Sequence, residues 1–162
     1  MNRSREIKQT LEKNILSNDY ENIEFLLLDY SSTDGLQDWI KSNMMKYIES
    51  GILSFYRLEG EKYFNFPRAK NIAAKACSGD ILFQINSDTF IPKKLAYKIN
   101  AVANNVPERL FLLDSSLKIL NNIGFYKHEY IDILGGADET FTSYDSVDRN
   151  TYERAKALQF TV

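Results

Sequence analysis

LFQINSDTFIP, residues 82–92, ends a buried-strand pattern on three polar residues in a row. The apolar run from Ile81 to Ile85, broken only by Gln84, stops at Asn86-Ser87-Asp88, and Pro92 then opens a helical pattern. A strand tip that projects a carboxamide, a hydroxyl and a carboxylate carries either turn chemistry or ligand chemistry. The elements around it decide which.

Working outward, helices and strands alternate. Ile7, Leu11 and Ile15 recur every four residues and predict an amphipathic helix. NIEFLLLDY (22–30) is the near-continuous apolar run of a strand covered on both faces. Asp34 reads as an N-cap. Leu36, Trp39, Ile40, Met44, Tyr47 and Ile48 then form one stripe, which Gly51 closes as a left-handed cap. ILSFYRL (52–58) is the next strand. After the aromatic loop EGEKYFNF (59–66), Pro67 opens a helix with Ala69, Ile72, Ala73 and Ala76 on one face, stopped at Gly79. Pro92 opens another, with Leu95, Ile99 and Val102 inward. This order predicts an α/β three-layer sandwich around a mainly parallel sheet.

From Asn104 the pattern changes. RLFLLD (109–114) and LKILNNIGFY (117–126) read as a strand pair, with Asp114-Ser115-Ser116 as the turn. KHEYIDIL (127–134) reads as a short helix, GGADETF (135–141) as a glycine-hinged loop, and VDRNTYERAKAL (147–158) as a closing helix. No internal repeat or low-complexity linker interrupts the chain, so residues 1–162 read as one domain.

Composition narrows the class. The 162 residues are 44% hydrophobic, enough to build a core. Twenty basic residues against 22 acidic leave a net charge of −2 with no basic block, which argues against a nucleic-acid-gripping protein. No stretch approaches the roughly 20 apolar residues of a membrane span, and no signal-peptide pattern is seen. Cys77 stands alone, which fits a reducing compartment, and its place in AKNIAAKACSG (69–79) suits a small core residue better than a nucleophile. A cytoplasmic protein is expected.

In an open α/β sheet, ligands collect beyond the carboxyl ends of the strands. Two polar strand ends fall there: Asp29 and Asn86-Ser87-Asp88. Each alone is a common turn cap. Together, on strands of the same polarity that run into helices, they predict a shared polar cleft. Asp88 could give a hard oxygen to Mg²⁺ or Mn²⁺, ions that use one or two carboxylates plus substrate phosphates.

The segments IEFLLLDYSSTDGL (23–36), RAKNIAAKACSGDILFQINSD (68–88) and IGFYKHEYIDILGGADETF (123–141) resemble, in this order, family 2 glycosyltransferases of the GT-A fold. The C-terminal Gly-Gly-x-Asp-Glu resembles the acceptor side of galactosyltransferase-like members. The likeness runs from about residue 20 to residue 155. It implies a GT-A-like (Rossmann-like) sandwich, with residues 1–103 as the nucleotide-sugar half and 104–162 as the acceptor half. It further implies transfer of a sugar from a UDP donor to a saccharide or glycolipid acceptor, with inversion. Peripheral contact with a membrane is compatible with such an acceptor.

By the same resemblance Asp29 seats the uracil, with Ser31 and Ser32 lining its pocket. Lys70 and Asn71 match a basic-Asn pair, with Lys70 approaching the diphosphate or positioning the Asp29 loop. Asn86 and Ser87 belong to the donor pocket, and Asp88 matches the metal-holding second Asp of Asp-x-Asp. Glu139 faces acceptor hydroxyls. Asp148 is the first choice for the base that takes the acceptor proton, and Asp138 the second. A carboxylate favoured by the helix dipole is an equal reading of Asp148.

Three departures qualify this. Asn86 replaces the first Asp of the motif, so the metal would be held weakly or be dispensable. Val147 stands where the family has Glu. The chain opens MNRSREIKQTLEKNI (1–15), so the family's first strand is missing from the pattern. The alternative is therefore an inactive or truncated nucleotide-sugar-binding domain of a larger transferase. A nucleotidyltransferase of similar topology is disfavoured by the Gly-Gly-Ala-Asp-Glu loop. His128 reads as a surface or packing residue. Tyr63, Phe64 and Phe66 fit base stacking and sheet-edge cover equally well.

Overall fold

The structure is a computed structural model that describes residues 1–105, 111–113, 123–141 and 144–160. The chain forms two compact units. One comprises Met1–Phe64 with Ser87–Ala96, the other Asn65–Asn86 with Tyr97–Val162, so the boundary falls inside the Asn86-Ser87-Asp88 tip.

In the first unit, helix α1 (Ser4–Ser17) buries Ile7, Leu11 and Ile15, the face its spacing predicts. Strands β1 (Phe25–Tyr30) and β2 (Leu53–Leu58) pair in parallel, with Phe25 opposite Leu53 and Asp29 opposite Arg57. Between them the predicted single helix is two: α2 (Leu36–Asn43) and α3 (Met45–Glu49). Met44, at φ −114° and ψ 1°, breaks the helical geometry yet is almost wholly buried, so the stripe survives the break. Ile7, Leu11, Ile15, Phe25, Leu36, Ile40, Met44, Tyr47 and Leu53 close one core. Fully burying such a side chain stabilises by about 1.5–3 kcal/mol. Gly51 has φ +76°, the left-handed cap expected of it.

Gly35 occupies the N-cap position of α2, and the Asp34 carboxylate just before it meets the Leu36 backbone and also accepts the Ser4 N–H at 2.7 Å, at the start of α1. The Ser4 hydroxyl returns a bond to the Asp34 carbonyl at 3.1 Å. The Arg3 side chain, at the N-cap of α1, makes no capping bond, so α1 takes its cap from a residue distant in sequence.

In the second unit, Asn65 caps α4 (Phe66–Ala76) by accepting the Arg68 N–H at 2.9 Å, with Pro67 in the first turn. Strand β3 (Ile81–Gln84) pairs antiparallel with β5 (Ile123–Tyr126), which pairs antiparallel with β4 (Phe111–Leu113). This is the strand pair expected beyond Asn104. Its proposed turn, Asp114-Ser115-Ser116, lies outside the described residues. KHEYIDIL becomes a π-helical turn, Glu129–Ile133, and the closing helix α6 runs Tyr144–Ala157. Helix α5 (Leu95–Asn105) starts three residues after Pro92. Val102, expected inward, is 41% exposed, and Ala103 is buried in its place. A second core gathers Ala74, Leu82, Phe125, Tyr130, Leu134, Ala155 and Phe160, with Cys77 packed against it as a small apolar residue.

Candidate functional site

The tip of β1 is a closed polar knot. Asp29 is ion-paired to Arg57, and its other oxygen accepts the Ser32 N–H at 3.1 Å. Arg57 also donates to the Ser32 carbonyl at 2.9 Å. The Asp29 side chain is 0% exposed, whereas Arg57 is 23% exposed. Asp29 thus orders the 29–32 turn, and its partner reaches solvent. Sequence reading missed Arg57, although the parallel register of LLLDY with FYRL pairs the two residues.

Ser31 is held in the left-handed region at φ +51°, unusual for a non-glycine residue. Its hydroxyl donates to the Leu58 carbonyl at 2.8 Å and accepts the Glu61 N–H at 3.0 Å. The Ser32 hydroxyl, also placed in the pocket by sequence, accepts the Asn2 N–H at 2.8 Å. Both serines tie loops together here. Of the nearby aromatics, Phe64 meets Tyr30 edge-on with ring centroids 5.3 Å apart, while Tyr63 is 84% exposed.

The segment after β3 is pinned to α1. Thr10 donates to the Ser87 carbonyl at 2.7 Å and Asn14 to the Thr89 carbonyl at 2.9 Å, and Asn14 accepts the Ile91 N–H at 3.0 Å. Asp88 is exposed at this tip, and Asn86 is half-buried. Among the described residues, no group of three or more His, Cys, Asp or Glu side chains is placed to hold a metal ion. A donor set of one carboxylate with a neutral amide neighbour suits Mg²⁺ or Mn²⁺ only when substrate phosphates complete the shell.

In the second unit, α4 and α6 bring predicted residues together. Lys70 is ion-paired to Asp148 and lies 4.5 Å from the centroid of the Phe66 ring. Burial lowers the Lys70 pKa, and the Asp148 carboxylate opposes that shift. Asp148 does not open its helix, because α6 begins at Tyr144. Val147 is buried in the core, so nothing at that position replaces the family's glutamate.

Asn71 is saturated. Its amide nitrogen donates to the Ala137 carbonyl and to Glu139 Oε1, both at 2.8 Å. Its oxygen accepts the Ala137 N–H at 2.8 Å and the Tyr130 hydroxyl at 3.2 Å. This uses its full hydrogen-bonding capacity, so Asn71 anchors the Gly-Gly-Ala-Asp-Glu loop. Gly136 makes the approach possible, since a Cβ there would sit 2.5 Å from Asn71 Oδ1. Burial raises the pKa of the Tyr130 hydroxyl and keeps it a donor.

Asp138 accepts both the N–H and the hydroxyl of Thr140, at 3.0 and 2.7 Å, and these bonds lower its pKa. Arg154 and Tyr130, both unremarked in the sequence, complete the loop's contacts. His128 is a surface residue, paired with Asp132 at 2.9 Å. It borders an open depression of about 760 Å³ beside β5 that none of the predicted site residues lines. No helix among the described residues is long and apolar enough to cross a membrane.

The strands and helices make an α/β fold of the GT-A class, with a parallel strand pair that ends on a buried carboxylate. Residues 1–130 match the family described as Glycosyl transferase family 2, and the chain belongs to that family. It is similar in fold to the mannosyltransferase PcManGT from Pyrobaculum calidifontis, solved in complex with GDP-Man and Mn²⁺. There the identity is 17% and the TM-score 0.72, over 97% of this chain and 50% of that one. It is likewise similar to S. aureus TarS 1-349, at 17% identity and TM-score 0.72, over 96% of this chain and 52% of that one. The same TarS segment solved in complex with UDP gives 18% and 0.71. The chain spans about half the length of these structures. Comparison with curated proteins found no match.

Proposed function

We propose that this chain is the nucleotide-sugar-handling part of a glycosyltransferase that moves a sugar from a UDP donor to a saccharide or glycolipid acceptor with inversion. The Lys70–Asp148 pair carries the reading: α6 holds a carboxylate in a partly buried setting, oriented by a cation from α4, as a positioned base would be. In an inverting transfer the acceptor oxygen attacks the anomeric carbon as the bond to the diphosphate breaks, and a carboxylate takes the acceptor proton. Asp148 is that base. Lys70, its ion-pair partner, holds the Asp148 carboxylate in place on α6. Asp138 ranks second because its two bonds from Thr140 favour the unprotonated form.

Glu139, exposed and bonded to Asn71 through Oε1, presents its other oxygen to acceptor hydroxyls. On the donor side, Asp29 acts through Arg57 and the 29–32 turn, with Ser31 and Ser87 shaping the backbone. Asn86 bonds ribose or a metal-bound water. Asp88 would hold Mn²⁺ or Mg²⁺, which supplies positive charge to the leaving diphosphate. The UDP and GDP-Man of the structural neighbours support a nucleotide-sugar donor, and the Mn²⁺ of one supports a divalent ion. The single cysteine supports a cytoplasmic setting.

Asn86 in place of a carboxylate favours a second reading, a nucleotide-sugar-binding domain without turnover of its own. Thermal-shift measurement with UDP-glucose and GDP-mannose, with and without Mn²⁺, tests the binding common to both. UDP-glucose should raise the melting temperature, and more so with Mn²⁺. No shift with either nucleotide sugar overturns the proposal. Release of UDP in the presence of an acceptor separates an active enzyme from a binding domain.

A further inference from the structure

We propose that Arg154 is a positioning residue: from α6 it fixes the Gly135-Gly136-Ala137 turn and so sets where Glu139 presents its carboxylate. The proposal rests on the reading of this loop as the acceptor side. Arg154 Nη1 donates to the Leu134 carbonyl at 2.8 Å, and Nη2 donates to the Gly136 carbonyl. Its Nε donates to Asn150 Oδ1 at 3.0 Å, which fixes the plane of the guanidinium on its own helix. Leu134 ends the π-helical turn, where unsatisfied carbonyls favour a cation. A rigid fork spans two carbonyls at once, and a lysine ammonium has no such geometry.

The opposite side of the turn is held from α4. Asn71 takes the Ala137 N–H and gives to both the Ala137 carbonyl and Glu139. The Gly136 N–H donates to the Tyr130 carbonyl at 2.7 Å. Successive peptide units are therefore gripped from two helices, and the Glu139 bond to Asn71 exists only while the turn stays seated. If Arg154 lets go of Gly136, the turn can leave Asn71, and Glu139 loses its fixed direction.

The test is NMR on the isotope-labelled full chain, comparing the parent with Arg154→Lys, Arg154→Met and Asn71→Ala. Two readouts are followed: hydrogen exchange at the Ala137 amide and the ¹³C resonance of the Glu139 carboxylate. In both Arg154 variants, exchange at Ala137 should accelerate roughly tenfold or more. The Glu139 signal should move toward its position in Asn71→Ala. A fall in melting temperature with both readouts at parental values would make Arg154 a stabilising residue only and overturn the proposal. Should Arg154→Met fail to fold, Arg154→Lys, which keeps the charge and loses the fork, decides on the same two readouts. Saturation transfer to methyl β-glucoside on the same samples bears on the acceptor reading alone, so that reading can fail while the clamp stands.

Discussion

Lys70 and Asp148, 78 residues apart in sequence, close an ion pair between α4 and α6 with both side chains mostly withdrawn from water. Breaking one side of a buried pair leaves an uncompensated charge, whereas removing both can be nearly neutral. Asp148→Asn should therefore destabilise by about 1–3 kcal/mol, below the fully buried range because Asp148 is 21% exposed. Adding Lys70→Met should recover part of the loss. Urea unfolding of the four proteins of the cycle measures the coupling, and additive effects would show that the pair contributes nothing.

The same substitution probes catalysis. If the chain turns over, Asp148→Asn should lower kcat by about a hundredfold or more and leave UDP affinity nearly unchanged, since a base acts on the acceptor. Unchanged turnover would move the base to Asp138 or Glu139.

Asp29 orders the turn at the end of β1 through Arg57, so both residues should matter to nucleotide binding. Asp29→Ala should abolish the thermal shift produced by UDP. Arg57→Lys, which keeps the charge and loses the fork, should weaken UDP binding by about tenfold. Calorimetric titration at a temperature where both variants remain folded checks this, and parental affinity in both would remove the knot from the donor site.

With Asp88 as the single carboxylate at its tip, Mn²⁺ alone should bind weakly and gain affinity when UDP supplies phosphate oxygens. Asn86→Asp should tighten binding by tenfold or more. Equal Mn²⁺ affinity in the two proteins, read by titration with and without UDP, would count against this placement of the metal.

Asp34 gives a stability signature in acid. Burial works against its charge, but hydrogen bonds from Ser4 and the backbone prevail and lower its pKa below the usual 3.8. A carboxylate with a depressed folded-state pKa contributes stability above 3.8 and loses it as pH falls through the folded value. Asp34→Ala should cost about 1 kcal/mol at neutral pH, as a lost helix cap does. The gap between parent and variant should narrow below pH 3.8. Melting curves from pH 7 to pH 2 would refute the assignment if the gap stayed constant.

What could be read from the chain was local. Apolar spacing placed Ile7, Leu11 and Ile15 in the core, and Pro67 and Gly51 marked helix ends correctly. Local rules failed where a distant residue competed. Asp34 reads as the N-cap of the helix that follows it, yet its carboxylate also reaches back to the Ser4 N–H at the start of α1. Val102 lost its inward place because the buried face of α5 runs from Leu95 to Ala103, i and i+8 on one stripe, and leaves Val102 at its exposed margin. The family pattern singled out Asn71, but its saturation by Ala137, Glu139 and Tyr130 needs the folded loop to be seen. Arg57 and Arg154 carry no motif, and only strand register and helix packing give them partners.

The tandem glycines of the loop meet different demands, which sets the order in which mutation could explore it. Both have positive φ, +77° at Gly135 and +75° at Gly136. A Cβ at Gly135 would meet nothing within 4 Å, so its constraint is purely torsional, and asparagine, which tolerates the left-handed region, could stand there. Gly136 is barred by volume as well, because its Cβ would displace Asn71. Drift in this loop should therefore enter at 135, and a change at 136 should become permissible only in a chain that has already given up Asn71.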